Sequence, residues 1–201
     1  MMNMVFENHR IAACLGTEFT GRLKEIYAAM DHAYRHAAEN YRFNCEGCRD
    51  NCCRSQFYHH TLIEYAYLLE GLNTLAVKKQ NEIKWRARDL VDQTPGGEIG
   101  QEAIRPICPL NFDALCIVYP YRPMICRLHG IPHELKKPDQ KTLFGPGCAT
   151  FYDRCGHKSY YRFDRTAFYR KLAKLEREVR QSFGYAGKMR MTVAQMILAD
   201  A

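Results

Sequence analysis

Residues 45–53 read Cys-Glu-Gly-Cys-Arg-Asp-Asn-Cys-Cys and place four thiols in one short polar segment. This composition is typical of a ligand loop and is poorly suited to a packed core. A dense group of thiols requires a metal, a disulfide partner or a redox function. On a helix, Cys45, Cys48 and Cys52 lie within about sixty degrees of one another, and Cys53 lies at the edge of that arc. A tight turn at the glycine has the same effect. All four thiols then face one metal centre, or the adjacent Cys52 and Cys53 each face a different centre.

A second group of cysteines is spread through residues 98–150. Proline and glycine recur there, which predicts loops and short strands rather than helix. The segment from Cys108 to Tyr119 predicts a small hairpin. Taken without the first group, these cysteines fit metal ligands and buried thiols equally well. They are Cys108, Cys116, Cys126 and Cys148.

Two further cysteines stand outside these groups. Cys14 stands alone, and we interpret it as an ordinary buried, apolar cysteine. Cys155 follows closely after Cys148 and is a candidate to replace one of the eight ligands.

The chain has 201 residues, which suits one domain with an adequate core and no need for disulfides. We expect a single domain over 1–201, made of an N-terminal helix (1–42), a cysteine-cluster metal-binding region (43–155) and C-terminal helices (156–201). The N-terminus lacks the basic region and apolar run of a signal peptide, and no apolar stretch is long enough to cross a bilayer. We therefore expect a cytoplasmic protein with no membrane partner.

The formal net charge is +7, with thiols counted as neutral. Each divalent ion held by four thiolates subtracts about two charges, so this excess is weak support for nucleic acid. Aromatic and basic residues are interleaved in 151–169. This pattern permits stacking of single strands, but it is more typical of a core with a charged rim. A nucleic-acid-binding zinc protein is therefore a third hypothesis, and nucleic acid is not expected as a partner.

Apolar residues at helical spacing predict three long helices and two short ones. They begin near Glu18, Leu62, Thr74, Asp164 and Thr192. Several residues are expected to cap these helices: Thr17 or Thr20, the capping box of Thr61 with Glu64, Asp164, and Thr192. The predicted fold is mainly α, with helices packed around an irregular cysteine-rich metal-binding centre that contains a small hairpin.

Arg122 and Arg127 flank Cys126, and we assign both to cofactor binding. An arginine beside thiolates donates hydrogen bonds to sulfur and offsets its charge. Binding of an acidic substrate and a salt bridge to a carboxylate are equally good interpretations. Among the histidines, the adjacent pair at 59 and 60 is a weak ligand candidate. The pair at 129 and 133 has metal spacing, but the intervening proline disfavours a helix there.

Several of these motifs occur together in one characteristic order. Because of that order, the chain resembles the YkgJ-type cysteine-cluster proteins, which are described as zinc- or iron-chelating domains. The resemblance covers about residues 43–150 and implies metal chelation by all eight cysteines, without implying a reaction. One departure is the hairpin turn, which lacks the glycine often expected there. The motifs are Cys45-x2-Cys48-x3-Cys52-Cys53, Cys108-Pro109-Leu110, Cys116-Ile117-Val118-Tyr119, Arg122-Pro123-Met124-Ile125-Cys126-Arg127 and Gly147-Cys148.

The sequence predicts a metal-binding protein that chelates zinc or an iron–sulfur cluster through its two groups of cysteines, with a structural or carrier role. The alternative is a redox or group-transfer enzyme that uses an iron–sulfur cluster. Four thiolates suit either metal centre, and the spacing matches neither a zinc ribbon nor a bacterial ferredoxin. The eight ligands form two four-thiolate sites or one larger centre. Catalytic residues are unassigned, and a protein partner is left open beside the metal ion.

Overall fold

The computed structural model describes residues 10–44, 52–93, 107–139 and 141–199. Within these ranges the chain is mainly helical with two small antiparallel hairpins, which confirms the predicted helical class. Residues 10–14 are helical and precede the first long helix. The helices are α1 (Thr17–Tyr41), α2 (Leu62–Asn73), α3 (Val77–Gln93), α4 (Met124–Arg127), α5 (Ala149–Cys155), α6 (Thr166–Ser182) and α7 (Val193–Leu198).

Two hairpins and two short 3-10 turns connect these helices. Strand β1 (Asn111–Phe112) pairs with β2 (Leu115–Cys116), as the sequence predicts for this segment. Strand β3 (His133–Lys136) pairs with β4 (Thr142–Gly145), which the sequence analysis did not predict. The 3-10 turns are Cys52–Arg54 and Tyr119–Tyr121.

Helix α2 lies at the centre of the core. It is buried on nearly every side, because apolar residues surround it rather than forming one stripe. Helices α1 and α6 pack against it and against each other, and the 3-10 turn before α4 packs on it as well. In α6 the predicted stripe is buried at Leu172, Leu175 and Val179, whereas Phe168 lies at its half-buried edge. Helix α3 packs on α7.

Most of the predicted helix caps are wrong in detail. Gly16 occupies the N-cap of α1, so neither Thr17 nor Thr20 caps it. Thr61 does occupy the N-cap of α2, but its hydroxyl donates to the Glu64 carboxylate at 2.6 Å instead of accepting from the helix backbone, so the predicted capping box is not formed. The capping box at Thr192, by contrast, is confirmed.

Two helix starts also differ from the prediction. Helix α3 begins at Val77 rather than at Thr74, which instead follows the end of α2. Helix α6 begins at Thr166, and its N-cap is Arg165. Asp164 still satisfies an orphan amide, because its Oδ1 accepts from the Thr166 nitrogen at 2.9 Å. In the described ranges no helix has the length and apolarity needed to span a bilayer.

Candidate metal centre

The two cysteine groups meet at the 3-10 turn Cys52–Arg54. The amide of Cys108 donates to the carbonyl oxygen of Cys53 at 2.8 Å, so the backbone itself joins the groups. Cys45 and Cys48 lie outside the described residues. The contact therefore places half of the first group directly against the start of the second.

Five thiols converge around one small cavity. Its volume is about 20 Å³, which is close to the room that a single water needs. Arg122 lines the same cavity. The eight cysteines that the structure describes are thiols rather than disulfides. The five that line the cavity are Cys52, Cys53, Cys108, Cys116 and Cys126.

The hairpin β1–β2 positions Cys116 opposite Asn111, close to Cys108. The Asn111 amide donates to the Cys108 carbonyl at 2.9 Å, which turns the chain into the first strand. At the tip, Asp113 and Ala114 have φ values of 50° and 65°. This left-handed pair is the geometry that a two-residue hairpin turn requires, and here it is built without glycine.

The short helix α4 carries Cys126, and Glu64 from α2 holds its N-terminus. The buried Glu64 carboxylate accepts from the Met124 amide at 2.6 Å and from the Tyr27 hydroxyl at 2.9 Å. A negative charge at a helix N-terminus is favourable because it satisfies orphan amides there. The sequence analysis missed this role, since Thr61 and Glu64 gave only the local signal of a capping box.

Arg127 connects the turn before α4 to α1, although its charge also opposes the rise in pKa that burial causes at Cys116. Its side chain is 4% exposed and forms an ion pair with Asp31 of α1 at 2.7 Å. It also donates to the carbonyl oxygens of Arg122, at 2.8 Å, and of Pro120. Its guanidinium lies 4.0 Å from the ring centroid of Tyr27. Of the three interpretations of this arginine, the geometry matches the salt bridge.

Arg122 is placed differently, because it lines the small cavity together with the five thiols. Its charge adds to the lowering of the Cys53 pKa, and it opposes the rise that neighbouring thiols and burial cause in the pKa of Cys52, Cys116 and Cys126. Its Nε donates to the carbonyl of Tyr119 at 2.9 Å, and its guanidinium stacks on that ring at 3.4 Å. Tyr119 is itself half exposed, so it supports the arginine more than it packs on the loop.

The pKa values of the thiols show that the group is electrostatically crowded. Hydrogen bonds from the side chains of Cys108 and Cys52 lower the pKa of Cys53. The same bonds, together with burial, raise the pKa of Cys52 and Cys108. Burial raises the pKa of Cys116 to about 11 and also raises that of Cys126. Neighbouring thiols that share hydrogen bonds thus shift in opposite directions, and their crowding disfavours ionising several of them together.

Cys148 joins the group less closely. It is buried at the N-cap of α5 and lines a cavity of about 370 Å³ together with Cys52, Cys53, Cys116 and Cys126. Its amide donates to the carbonyl of Gly130 at 2.9 Å, which fixes its backbone. It therefore lies across a space from the other thiols rather than among them.

The remaining cysteines lie elsewhere. Cys155 is buried in the core, and its Sγ donates to the carbonyl of Tyr41 at 3.4 Å. It lines neither of the thiol cavities described above, so Cys148 and not Cys155 is the residue beside the group. Cys14 is exposed, and the expectation that it is buried is wrong.

His59 lines a third cavity, which lies on another side of the thiols. The cavity has a volume of about 70 Å³ and is shared with Cys52, Cys53, Cys108 and Cys126. His59 is 3% exposed, and its backbone is fixed by paired hydrogen bonds of 2.8 and 3.0 Å to Met191. Its Nε2 has no hydrogen-bond partner among the described residues, and burial lowers its pKa.

The chemistry of the donor set fits a soft metal, although a complete ligand arrangement is not formed. Within the described ranges, no three histidine, cysteine or carboxylate side chains are arranged to hold one metal ion. The cavity among the five thiols nevertheless contains the donors that zinc and iron–sulfur clusters prefer. Two of the eight expected ligands, Cys45 and Cys48, lie outside the described residues.

The chain matches no known protein-family model, no curated protein and no solved structure with which it was compared.

Proposed function

We propose that this protein binds a metal through the convergent cysteines, as zinc or as an iron–sulfur cluster, with a structural or carrier role. The proposal includes the YkgJ-type resemblance, whose motifs coincide with the five thiols around the small cavity. Cys45, Cys48 and Cys148 complete the proposed ligand set. Bound metal supplies the positive charge that lets several buried thiols ionise together.

One observation carries the proposal. Thiols from two stretches that are distant in sequence line the same small cavity, and the Cys108 amide bonds to the Cys53 carbonyl beside it. Four of the five thiols are half-buried and only Cys53 is buried, so they form a poor core, and ionising one raises the cost of ionising the next. A metal ion removes that cost, since coordinated cysteine is deprotonated.

The decisive experiment is elemental analysis with an absorbance spectrum on protein purified without air. We expect zinc or iron in a fixed ratio to protein. Cys53→Ser and Cys108→Ser should each lower that ratio, whereas Cys14→Ser and Cys155→Ser should leave it unchanged. Absence of both metals from the purified protein, or equal metal content in all four variants, would overturn the proposal.

The cavity beside His59 favours a second candidate, a redox or group-transfer enzyme. Such an enzyme needs an open face on its cluster, and this cavity adjoins four of the thiols. Apolar walls at Phe57 and Leu90 leave the imidazole as its buried hydrogen-bonding group. An iron–sulfur cluster supplies one-electron transfer when it is bound.

This second candidate is tested by replacing His59 with leucine. The variant should retain its metal content, because no ligand has been removed, and its cluster should show a changed reduction midpoint. A colourless zinc protein, or a reduction midpoint identical to that of the wild type, would contradict the enzyme hypothesis and leave the metal-binding proposal standing.

A further inference from the structure

The second hairpin and the end of α5 enclose a separate cavity of about 350 Å³. None of the described residues that line it is a cysteine. Its volume suits a ligand about the size of a nucleobase. Five of its lining residues are aromatic: Tyr41, Phe144, Phe151, Tyr152 and Tyr160.

Three of these rings are exposed to solvent at the rim. Phe144 is 70% exposed, Tyr152 54% and Tyr160 45%. The sequence pattern around 151–169 favours a core with a charged rim, and Phe151 is indeed buried. Tyr152 and Tyr160 depart from that interpretation. A cluster of exposed aromatic rings around one cavity is typical of a binding surface.

The rim is held in place by contacts within the protein. The Tyr160 hydroxyl donates to Glu134 at 3.2 Å, and its ring meets the Phe144 ring edge-on at 6.3 Å between centroids. Lys158 lines the wall, and its Nζ donates to the carbonyl of Tyr41 at 2.5 Å. The rings and the ammonium group are therefore ordered before a ligand arrives, which lowers the entropic cost of binding.

The surroundings are positively charged. Residues 132–162 contain six lysines and arginines against three carboxylates. One of the carboxylates, Glu134, is already paired with Arg162 at 3.4 Å. Exposed lysines continue from the cavity along the β3–β4 hairpin at Lys136, Lys137 and Lys141.

We propose that this surface, formed by the aromatic cavity and the basic hairpin, binds single-stranded nucleic acid. One base enters the cavity, neighbouring bases stack on the exposed rings, and the phosphates follow the lysines. Aromatic stacking combined with a basic track is the usual basis of sequence-tolerant single-strand binding. The rim carries more exposed rings than one base covers, which favours a strand over a free nucleotide. The inference does not depend on the metal centre.

The test is fluorescence anisotropy with labelled oligouridylate and oligoadenylate of about twelve nucleotides, using the full chain with its native metal content. We expect binding that weakens steeply between about 50 mM and about 200 mM salt. Phe144→Ala and Tyr152→Ala should each weaken binding by about fivefold or more. Lys137→Gln should reduce the salt dependence by about one released ion.

Two matched controls lie on α3. Trp85→Ala removes an exposed ring that is 66% accessible, and Lys78→Gln removes an exposed cation. Both should bind as the wild type does. Absence of oligonucleotide binding at about 50 mM salt would overturn the proposal. So would equal losses in the rim and control variants, or competition by a mononucleotide as effective as that by the oligomer.

Discussion

The backbone amide of Cys108 donates a hydrogen bond of 2.8 Å to the carbonyl oxygen of Cys53. Because this bond uses main-chain atoms, it is retained when either side chain is replaced by serine. Serine variants at these positions therefore remove a sulfur donor without removing the connection between the two stretches. Loss of metal in such variants reports on ligand chemistry.

Removal of metal should destabilise the protein strongly. The loops around the thiols have few ladder hydrogen bonds, so ligand bonds contribute directly to the free energy of folding. We expect a chelator to lower the thermal midpoint by more than about 10 °C. The doubly substituted Cys53→Ser/Cys108→Ser protein should show little further shift. A midpoint that stays unchanged after elemental analysis has verified metal removal would contradict this prediction.

Glu64→Gln should weaken both the fold and the site. The carboxylate accepts from the Met124 amide, the Tyr27 hydroxyl and the Thr61 hydroxyl. In glutamine the remaining oxygen still accepts from Met124 and Tyr27, whereas the amide nitrogen faces the Thr61 hydroxyl, which must change from donor to acceptor; all three bonds lose the contribution of the negative charge. We expect a loss of about 2–4 kcal/mol in the free energy of unfolding by urea. Glu70→Gln, which removes the exposed partner of Lys24, should cost less than about 1 kcal/mol.

Substitutions of the two arginines beside Cys126 should have different effects on stability and on thiol reactivity. Arg127→Met leaves two carbonyl oxygens and the partly exposed Asp31 carboxylate without their donor, and we expect it to lower the free energy of unfolding by about 2–3 kcal/mol. Arg122→Met should cost less than about 1 kcal/mol. It should instead slow thiol alkylation in the metal-free, reduced protein, because the arginine charge adds to the lowering of the Cys53 pKa. Equal effects of both variants in both measurements would contradict these assignments.

Two helical glycines should respond in opposite directions to alanine. A β-carbon at Gly71 would lie 2.7 Å from the β-carbon of Tyr121, so Gly71→Ala should displace the turn before α4 and destabilise the protein by about 1–3 kcal/mol. At Gly21 in α1 there is open space, and Gly21→Ala should stabilise by about 0.5–1 kcal/mol. Urea unfolding of both variants measures the difference. Stabilisation by Gly71→Ala would show that the turn is not tightly packed.

The pKa of His133 makes stability depend on pH. Burial and the charge of Arg165 lower this pKa from 6.5 to about 4. Between these values the unfolded chain binds more protons, so the free energy of unfolding rises with pH. The contribution of His133 to the free energy of unfolding is complete above the pKa of the unfolded state. It is lost as the pH falls towards the pKa of the folded state. His133→Gln should flatten the dependence across this window. Acid release of metal affects both proteins alike, so identical slopes would count against this assignment.

The long helices and the first hairpin were predictable from the sequence because their signals are local. Apolar spacing identifies the buried face of α6, and turn residues between short strands identify β1–β2. The start of α3 and most caps were not predictable in detail, since several residues near a helix end satisfy its amides equally well. The hairpin β3–β4 has few residues of high strand propensity, and its pairing depends on contacts across the loop.

The candidate site shows the same division. The spacing of cysteines identified the thiols, and five of them do converge. It did not identify Glu64 or Asp31, because each acts on a segment that is remote in sequence. The difference between Arg122 and Arg127 is likewise tertiary, since Arg122 lines the small thiol cavity and Arg127 is paired with Asp31 of α1. Sequence patterns name donors well, whereas the groups that orient those donors become visible only in three dimensions.

The conformation of the cysteine-bearing loop depends on contacts with α1 and α2, which lie outside the loop. Asp31 anchors Arg127, Glu64 anchors Met124, and Gly71 makes room for Tyr121. A peptide excised from this loop would keep its sulfur atoms and lose all three anchors. Grafting the motif into another scaffold therefore requires transplanting the faces of α1 and α2 together with it.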